Sequence, residues 1–201
     1  MRKTILTLLA FAVVAAPASA QTTADTWTID SNHTSAQFAV KHMMVSTVRG
    51  KLGKVSGTIK WDGKNVNTIQ TDVTIGVAGL DTGVEARDND LRSDNFFSAA
   101  TYPTIVFKSR KVIPGANGQF KLVGDLTIRE TTKEVALDVE GPSPAQKTGN
   151  NYRTGASATT TINRRDFGLL YNRLIETGGA VVGDEVTITI DLETTRPATA
   201  G

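Results

Sequence analysis

Apolar and polar residues alternate with a period of two along most of the chain. The alternation is clear in segments 36–42, 69–77, 120–128, 135–139 and 186–192, and weaker in 47–61, 104–112 and 152–162. Because successive side chains of a strand point to opposite faces, each segment is predicted to be a strand with one buried face. Turn pairs such as Asp62-Gly63 and Asn117-Gly118 separate them without intervening helices, so we predict about eight antiparallel strands.

The strand segment 47–61 changes phase in its middle, at Gly53-Lys54. A bulge or bend at this point is the simpler explanation, and bent strands suit a closed barrel. Two segments depart from the strand pattern: 84–95 is predicted to be a short helix and 164–170 a second helical turn. We expect a loop at 142–150 and a frayed end from Thr194 onward.

The segment 152–162 has small residues on both faces. One face carries Thr154, Ala156 and Ala158, and the phase-shifted strand adds Gly50 and Gly57. Small residues facing the axis of a barrel leave space, and that space would be apolar. The expected apolar wall consists of Phe38, Ile75, Phe107, Leu126 and Ile188. A flattened sandwich with a filled core is the alternative.

The first twenty residues have the features of a secretory signal peptide. Arg2 and Lys3 precede an apolar run, and Ala18-Ser19-Ala20 is a small-residue cleavage signal. We therefore expect residues 1–20 to be removed and 21–201 to form a single domain in the periplasm, with secretion as the alternative. Removal of Arg2 and Lys3 from 22 basic residues would leave 20 against 20 acidic ones, so nothing points to nucleic acid. No later apolar run is long enough for stable membrane insertion.

The sequence carries little catalytic or metal-binding chemistry. It has no cysteine, which excludes disulfides and thiol chemistry, and its two histidines, His33 and His42, fall on opposite strand faces. Nucleotide-binding and serine-hydrolase motifs are absent. We expect no enzyme activity, no metal and no cofactor. For His42, Arg92, Arg164 and Arg165, a structural role and contact with a ligand head group both remain open.

Several ordered motifs resemble the YceI-like family. They are WTIDSNH from Trp27 to His33, FAVKHM from Phe38 to Met43, LRSDNFF from Leu91 to Phe97, YPTIVFKS from Tyr102 to Ser109, GDLTIR from Gly124 to Arg129 and INRRDFGL from Ile162 to Leu169. The resemblance implies an all-β, antiparallel, eight-stranded lipocalin-like β-barrel with one or two short helices. Glu130 stands where the family usually has glycine, and we expect it to change a turn only.

The resemblance also implies a partner, which is a polyisoprenoid or another long-chain lipid held in an apolar tunnel. The expected lining is Phe38, His42, Met43, Phe97, Tyr102, Phe107 and Phe167, and Arg92 is the candidate for the lipid head group. The leading interpretation is a carrier or store of lipid. An enzyme acting on isoprenoid lipids and a ligand-free structural or stress-response barrel are the alternatives, and a homodimer is left open.

Overall fold

Strands account for most of the structure, a computed structural model that describes residues 25–173 and 181–198. The predicted signal peptide, residues 1–20, lies outside the described residues. The strands are β1 (Asp25–Ile29), β2 (Ser35–His42), β3 (Ser46–Lys51), β4 (Val55–Trp61), β5 (Gln70–Gly76), β6 (Thr104–Pro114), β7 (Gln119–Ile128), β8 (Thr131–Glu140), β9 (Gln146–Thr148), β10 (Asn151–Asn163) and β11 (Val182–Pro197). One helix, α1 (Glu85–Arg92), and two 3-10 turns, Val66–Thr68 and Arg164–Phe167, complete the elements.

The strands form a closed, eight-stranded antiparallel barrel. The strands β1 and β2 are two halves of one barrel strand, since both pair with β11, and β3 and β4 form its hairpin partner. The next strands pair with their sequence neighbours from β4 to β8, and β10 pairs with β8. The long strand β11 closes the barrel because its other edge pairs with β10 over thirteen residue pairs.

The predicted bend in the second barrel strand is confirmed between β3 and β4. Leu52–Lys54 leave the ladder there, and the Gly53 amide donates to the Gly76 carbonyl at 2.8 Å. A Cβ atom at Gly53 would lie 2.3 Å from that same oxygen, so only glycine allows this close approach. The bend lets the two halves keep their apolar residues on the inside although they differ in parity.

Two expectations about the chain ends of the sheet need correction. The short strand β1 was absent from the predicted set, because five residues give little alternation to detect. The frayed end predicted from Thr194 onward is wrong, since β11 continues to Pro197 and Thr194 is 3 % exposed. Pairing with β10 on one edge and β1 on the other holds these polar residues in the barrel.

The barrel has two distinct ends, which we name the helix end and the tryptophan end. The helix end carries α1, the β2–β3 turn and the 3-10 turn Arg164–Phe167. It is filled by buried apolar side chains, namely Val77, Leu80, Phe96, Ile128, Phe167 and Leu169. The tryptophan end carries the first residues of β1 and the last residues of β4, with Trp27 and Trp61. Among the described residues, no helix has the length and apolar character needed to cross a membrane.

Candidate functional site

An apolar cavity of about 120 Å³ lies inside the barrel. Every barrel strand contributes to its wall, which is formed by Trp27, Leu52, Ile59, Trp61, Ile69, Thr71, Val73, Ile75, Ile105, Phe107, Phe120, Leu122, Leu126, Leu137, Val139, Pro142, Thr154, Gly155, Ala156, Ala158, Thr160, Ile188, Ile190, Leu192 and Thr194. None of these residues is charged, and none is a serine or a histidine. Such a wall favours an apolar guest and offers no acid, base or nucleophile beyond threonine hydroxyls.

Small side chains on β10 keep the cavity open. Ala156 and Ala158 face Leu192 and Ile190 of β11, and all four residues line the wall. The predicted inward face of this strand therefore agrees with the structure. Of the five predicted wall residues, Ile75, Phe107, Leu126 and Ile188 line the cavity.

The size of the cavity limits what it holds without rearrangement. An apolar protein cavity of about 150 Å³ accommodates a molecule the size of benzene. The cavity of about 120 Å³ is smaller than that, so in this structure it holds at most one such group. For a longer chain to enter, the strands of the wall must separate, or the packed residues of the helix end, which we call the plug, must be displaced.

Aromatic rings and one arginine stack at the tryptophan end. The ring centroids of Trp27 and Trp61 lie 5.7 Å apart. The Arg196 guanidinium lies 5.1 Å from the Trp27 ring centroid and 4.7 Å from that of Tyr152. Its Nε lies 3.2 Å from a carboxylate oxygen of Asp25, so the charge of Arg196 is compensated within the protein. A cation is thus packed against two aromatic rings at this end of the barrel.

Three residues of the cavity wall each have a buried polar atom without a hydrogen-bond partner. These atoms are the indole Nε1 atoms of Trp27 and Trp61 and the Oγ1 atom of Thr71. Trp27 and Trp61 are 1 % and 6 % exposed, so bulk water does not reach their N–H groups. Across the sheet, Trp27 lies opposite Ile59 of β4, and Ile59 lies opposite Thr71 of β5. The three unpaired atoms thus belong to neighbouring strands at one end of the cavity.

The predicted aromatic lining is divided between the cavity and the plug. Phe107, 6 % exposed, lies in the cavity wall. Phe167, 2 % exposed, packs in the core at the helix end, and Phe97 packs against that core while half-buried. Phe38 also packs against the core, with its ring over Gly50, where a Cβ atom would lie 2.6 Å from the Phe38 Cε1 atom. A role of any of these phenylalanines in ligand binding stays a prediction, including that of Phe107.

The predicted polar contacts also gather at the helix end, outside the cavity wall. His42 ends β2, and Met43 follows it in the turn, 41 % exposed. Arg92 donates to the Leu80 carbonyl at 2.7 Å and to Asn89 Oδ1 at 3.0 Å, which gives it a structural role. Interaction with the Glu130 carboxylate raises the pKa of Tyr102. The pKa of Glu130 is lowered by its own backbone amide first and by the Tyr102 hydroxyl second. A head-group contact by Arg92 or His42 stays a prediction.

A second polar cluster lies where β1 passes into β2. Asp30, His33 and Glu193 bring one ligand atom each within 4.8 Å of one another. Arg153 occupies the position that a cation would take, since its Nη1 lies 2.9 Å from Asp30 Oδ2 and also contacts Glu193. Hydrogen bonds from His33 and Arg153 lower the pKa of Asp30 to about 2. The cluster is a salt-bridge network that ties β1 to β10 and β11.

Sequence reasoning missed the tryptophan end as part of the site. In the sequence, Trp27 stands out only as part of a family motif, and Trp61 only through the alternation of segment 55–61. The available signal was their inward parity, because each shares a face with residues that line the cavity, such as Ile59. Their missing hydrogen-bond partners depend on three-dimensional packing, and nothing in the sequence pattern reports them.

Known proteins match this chain in sequence and in fold. UPF0312 protein SA2479 of Staphylococcus aureus (strain N315) is 36 % identical over 162 residues, which cover 80 % of this chain and 91 % of that protein. The Campylobacter jejuni YCEI protein is 29 % identical, with a TM-score of 0.66 over 79 % of this chain and 90 % of that one.

Two further solved structures share the fold at lower identity. BcnA of Burkholderia cenocepacia is 24 % identical, with a TM-score of 0.69 over 82 % of this chain and 98 % of that one. A polyisoprenoid binding domain from Saccharophagus degradans, implicated in plant cell wall breakdown, is 16 % identical, with a TM-score of 0.63 over 85 % of this chain and 98 % of that one. The model of the YceI-like domain family matches residues 27–194. The chain therefore belongs to the YceI-like family.

Proposed function

We propose that this protein binds a long-chain lipid, of the polyisoprenoid class, inside its barrel and carries or stores it in the periplasm. The observation that carries the proposal is the uncharged apolar wall of the cavity, kept open by Ala156 and Ala158. The polyisoprenoid binding domain from Saccharophagus degradans, which has the same fold, adds support for the lipid class. The N-terminal signal described above supports export.

Burial of the lipid chain supplies the driving force. Each CH₂ group removed from water contributes about 0.8 kcal/mol, so ten such carbons give roughly 8 kcal/mol before ordering costs. That gross free energy corresponds to a Kd of about 1 μM. In a narrow barrel, only a long, thin guest can bury enough carbons to gain it. The wall must separate to admit the chain, which costs part of this energy.

Binding accounts for the site better than catalysis does. The described residues of the cavity wall include no carboxylate, histidine, lysine or arginine, so no general acid or base faces the guest. A ligand-free structural barrel remains the competing proposal, and it gains support from the small volume of about 120 Å³. These two proposals differ in what a larger wall residue does.

The substitution Ala158→Leu tests the proposal, with Thr159→Leu as the matched control. Ala158 lines the cavity, whereas the neighbouring Thr159 is exposed on the outer face. We expect Ala158→Leu to weaken binding of a polyprenyl alcohol at least tenfold, because the added carbons occupy the path of the chain. Thr159→Leu should bind within about twofold of the unsubstituted protein. Calorimetric titration measures both, and thermal denaturation establishes that each variant is folded.

Equal affinity of the two variants for the polyprenyl alcohol would indicate that the binding site lies outside the barrel. Absence of binding by the unsubstituted protein, together with a higher Tm for Ala158→Leu, would favour the ligand-free barrel. In that case the new side chain fills a cavity that serves no guest.

A further inference from the structure

The exposed apolar side chains of the protein are concentrated at the helix end. Among the described residues, six large apolar side chains are exposed, and five of them belong to this end, namely Met43, Met44, Val45, Val84 and Leu170. The sixth is Ile113, which lies near the tryptophan end, because β6 begins opposite Gly76 at the helix end and runs away from it. Single exposed apolar residues are ordinary, whereas a concentration of them marks an interaction surface.

The densest part of this surface is the β2–β3 turn, whose residues Met43, Met44 and Val45 we name the apolar tip. Met44 and Val45 are 68 % and 85 % exposed, and none of the three residues lines the cavity. Met43 and Met44 also have positive φ values, which suit Asn or Gly better than Met. Neither packing nor backbone geometry explains apolar side chains at these positions. Conflicts of this kind are expected at functional sites.

The hairpin that carries the apolar tip is basic. From residue 31 to residue 61 the sequence has five Lys or Arg residues and no Asp or Glu, although the predicted mature chain has equal numbers of both signs. Lys41 and Arg49, on the two strands that flank the tip, are exposed. Within residues 25–173 and 181–198, neither of them forms an ion pair. The tip therefore has positive charge on both sides.

The acids of the adjacent strand β11 are directed to other partners. A carboxylate oxygen of Asp184 lies 3.0 Å from a guanidinium nitrogen of Arg164 and 3.9 Å from one of Arg165. Glu185 is paired in the sheet with Asn163 of β10, and it has no partner in β2, where the register shifts. These two carboxylates do not neutralise the cations of the hairpin.

The shape of the tip favours a lipid bilayer over a protein as its partner. A stable protein interface buries about 800 Å² on each side and is depleted in lysine. Three residues at a projecting turn offer far less area than that. A bilayer accepts a small apolar projection at its head-group boundary, and anionic lipids attract the cations beside it.

We infer that the apolar tip docks the protein on an anionic lipid bilayer, with Met43, Met44 and Val45 among the head groups and Lys41 and Arg49 on their anionic groups. The inference goes beyond the proposed function, because it concerns the outer surface of the barrel and needs no guest in the cavity. It brings the helix end of the barrel to the bilayer surface.

Flotation of the mature protein with lipid vesicles tests the apolar contribution. We expect binding to vesicles of phosphatidylcholine and phosphatidylglycerol in equal parts, and at least tenfold weaker binding of the double variant Met44→Asn, Val45→Thr. Asn tolerates the positive φ and Thr has the shape of Val, so the fold should be kept, which thermal denaturation checks. Ile113→Thr is the matched control, an exposed apolar residue at the other end, and should bind within about twofold of the unsubstituted protein.

The same vesicles test the contribution of charge. A cation near an anionic lipid surface strengthens binding about fivefold, so Lys41→Gln combined with Arg49→Gln should weaken binding at least tenfold. Lys111→Gln, which removes an exposed cation of β6, is the control and should have no more than a twofold effect. Binding should also weaken as salt is added and be much weaker on vesicles of phosphatidylcholine alone.

A fluorescent label shows which part of the protein meets the bilayer. The chain has no cysteine, so Val45→Cys and Ile113→Cys each carry a single environment-sensitive nitrobenzoxadiazole group. On addition of the mixed vesicles, the label at position 45 should brighten and shift to the blue, and the label at position 113 should not.

Three results would overturn the docking tip. They are absence of vesicle binding by the unsubstituted protein, equal losses in the tip variant and in Ile113→Thr, and a blue shift at position 45 that grows with protein concentration without vesicles, which would assign the tip to contact between protein molecules. Binding of a polyprenyl alcohol by the tip variant should stay within about twofold. Vesicle binding by a protein that binds no polyprenyl alcohol would support the tip and contradict the proposed function alone.

Discussion

At the scale of single residues, Arg164 shows how one buried side chain fixes the helix end. It is 2 % exposed and donates to the carbonyls of Gly183 and Tyr171, each at 2.9 Å, and to that of Leu169. Burial lowers the pKa of its guanidinium, and Asp184, 3.0 Å away, opposes that shift. Arg164 thus joins the 3-10 turn to the start of β11, and its donors are used within the protein.

The substitution Arg164→Leu is expected to destabilise the protein by about 3–5 kcal/mol, because it leaves several buried carbonyls without donors. Arg165→Leu is the control, since the Arg165 side chain is 50 % exposed and its loss should cost no more than about 0.5 kcal/mol. Urea denaturation of both variants measures the difference. Similar values for the two would show that Arg164 is not a structural anchor and would return it to the head-group candidates.

At the scale of elements, the β2–β3 turn carries backbone strain. Met43 and Met44 have φ values of +50° and +59°, a region that residues with a Cβ atom seldom adopt. Met44 is also 68 % exposed, so its side chain makes few packing contacts that could offset this strain. Hairpin turns of this shape ordinarily use Asn or Gly.

Replacement of Met44 by glycine is therefore expected to stabilise the fold by about 0.5–1 kcal/mol, which raises Tm by a few degrees. Val45→Gly is the control, because Val45 is also highly exposed, at 85 %, but has no positive φ, and glycine there should be neutral or destabilising. Differential scanning calorimetry of the two variants separates these outcomes. A lower Tm for Met44→Gly would mean that the methionine makes contacts that outweigh its strain.

The same scale explains what the sequence could predict. Alternation is a local signal, so the strands and the bend near Gly53 were predictable from neighbouring residues. The inward parity of β10 and the wall position of Phe107 follow from the same signal. The end of β11 was not predictable, because Thr194 and Thr195 are polar and are held by pairing with β1, far away in the chain.

The position of the site along the barrel axis needed the folded structure. Apart from Phe107, the lining implied by the resemblance lies outside the cavity wall, and Phe167 belongs to the packed plug of the helix end. Alternation along a strand shows which side chains face inward. It does not show at which position along the barrel axis the interior is filled. That depends on how α1 and the turn Arg164–Phe167 cover the barrel, a long-range packing outcome.

At the scale of the whole molecule, the barrel combines a filled helix end with an apolar cavity that reaches the tryptophan end. The cavity of about 120 Å³ holds at most a group the size of a small ring, so a long lipid must open the wall or the plug. A bound chain would then stabilise the folded protein by an amount that grows with the logarithm of its concentration relative to Kd. The account therefore depends on a guest being present in the functional protein.

Extraction of the purified mature protein with organic solvent, followed by mass spectrometry, tests this most directly. We predict about one molecule of a long-chain lipid per barrel, with less recovered from Ala158→Leu than from Thr159→Leu. A lipid-free extract, from protein that also binds no added polyprenyl lipid, would contradict the account and leave a barrel without a guest.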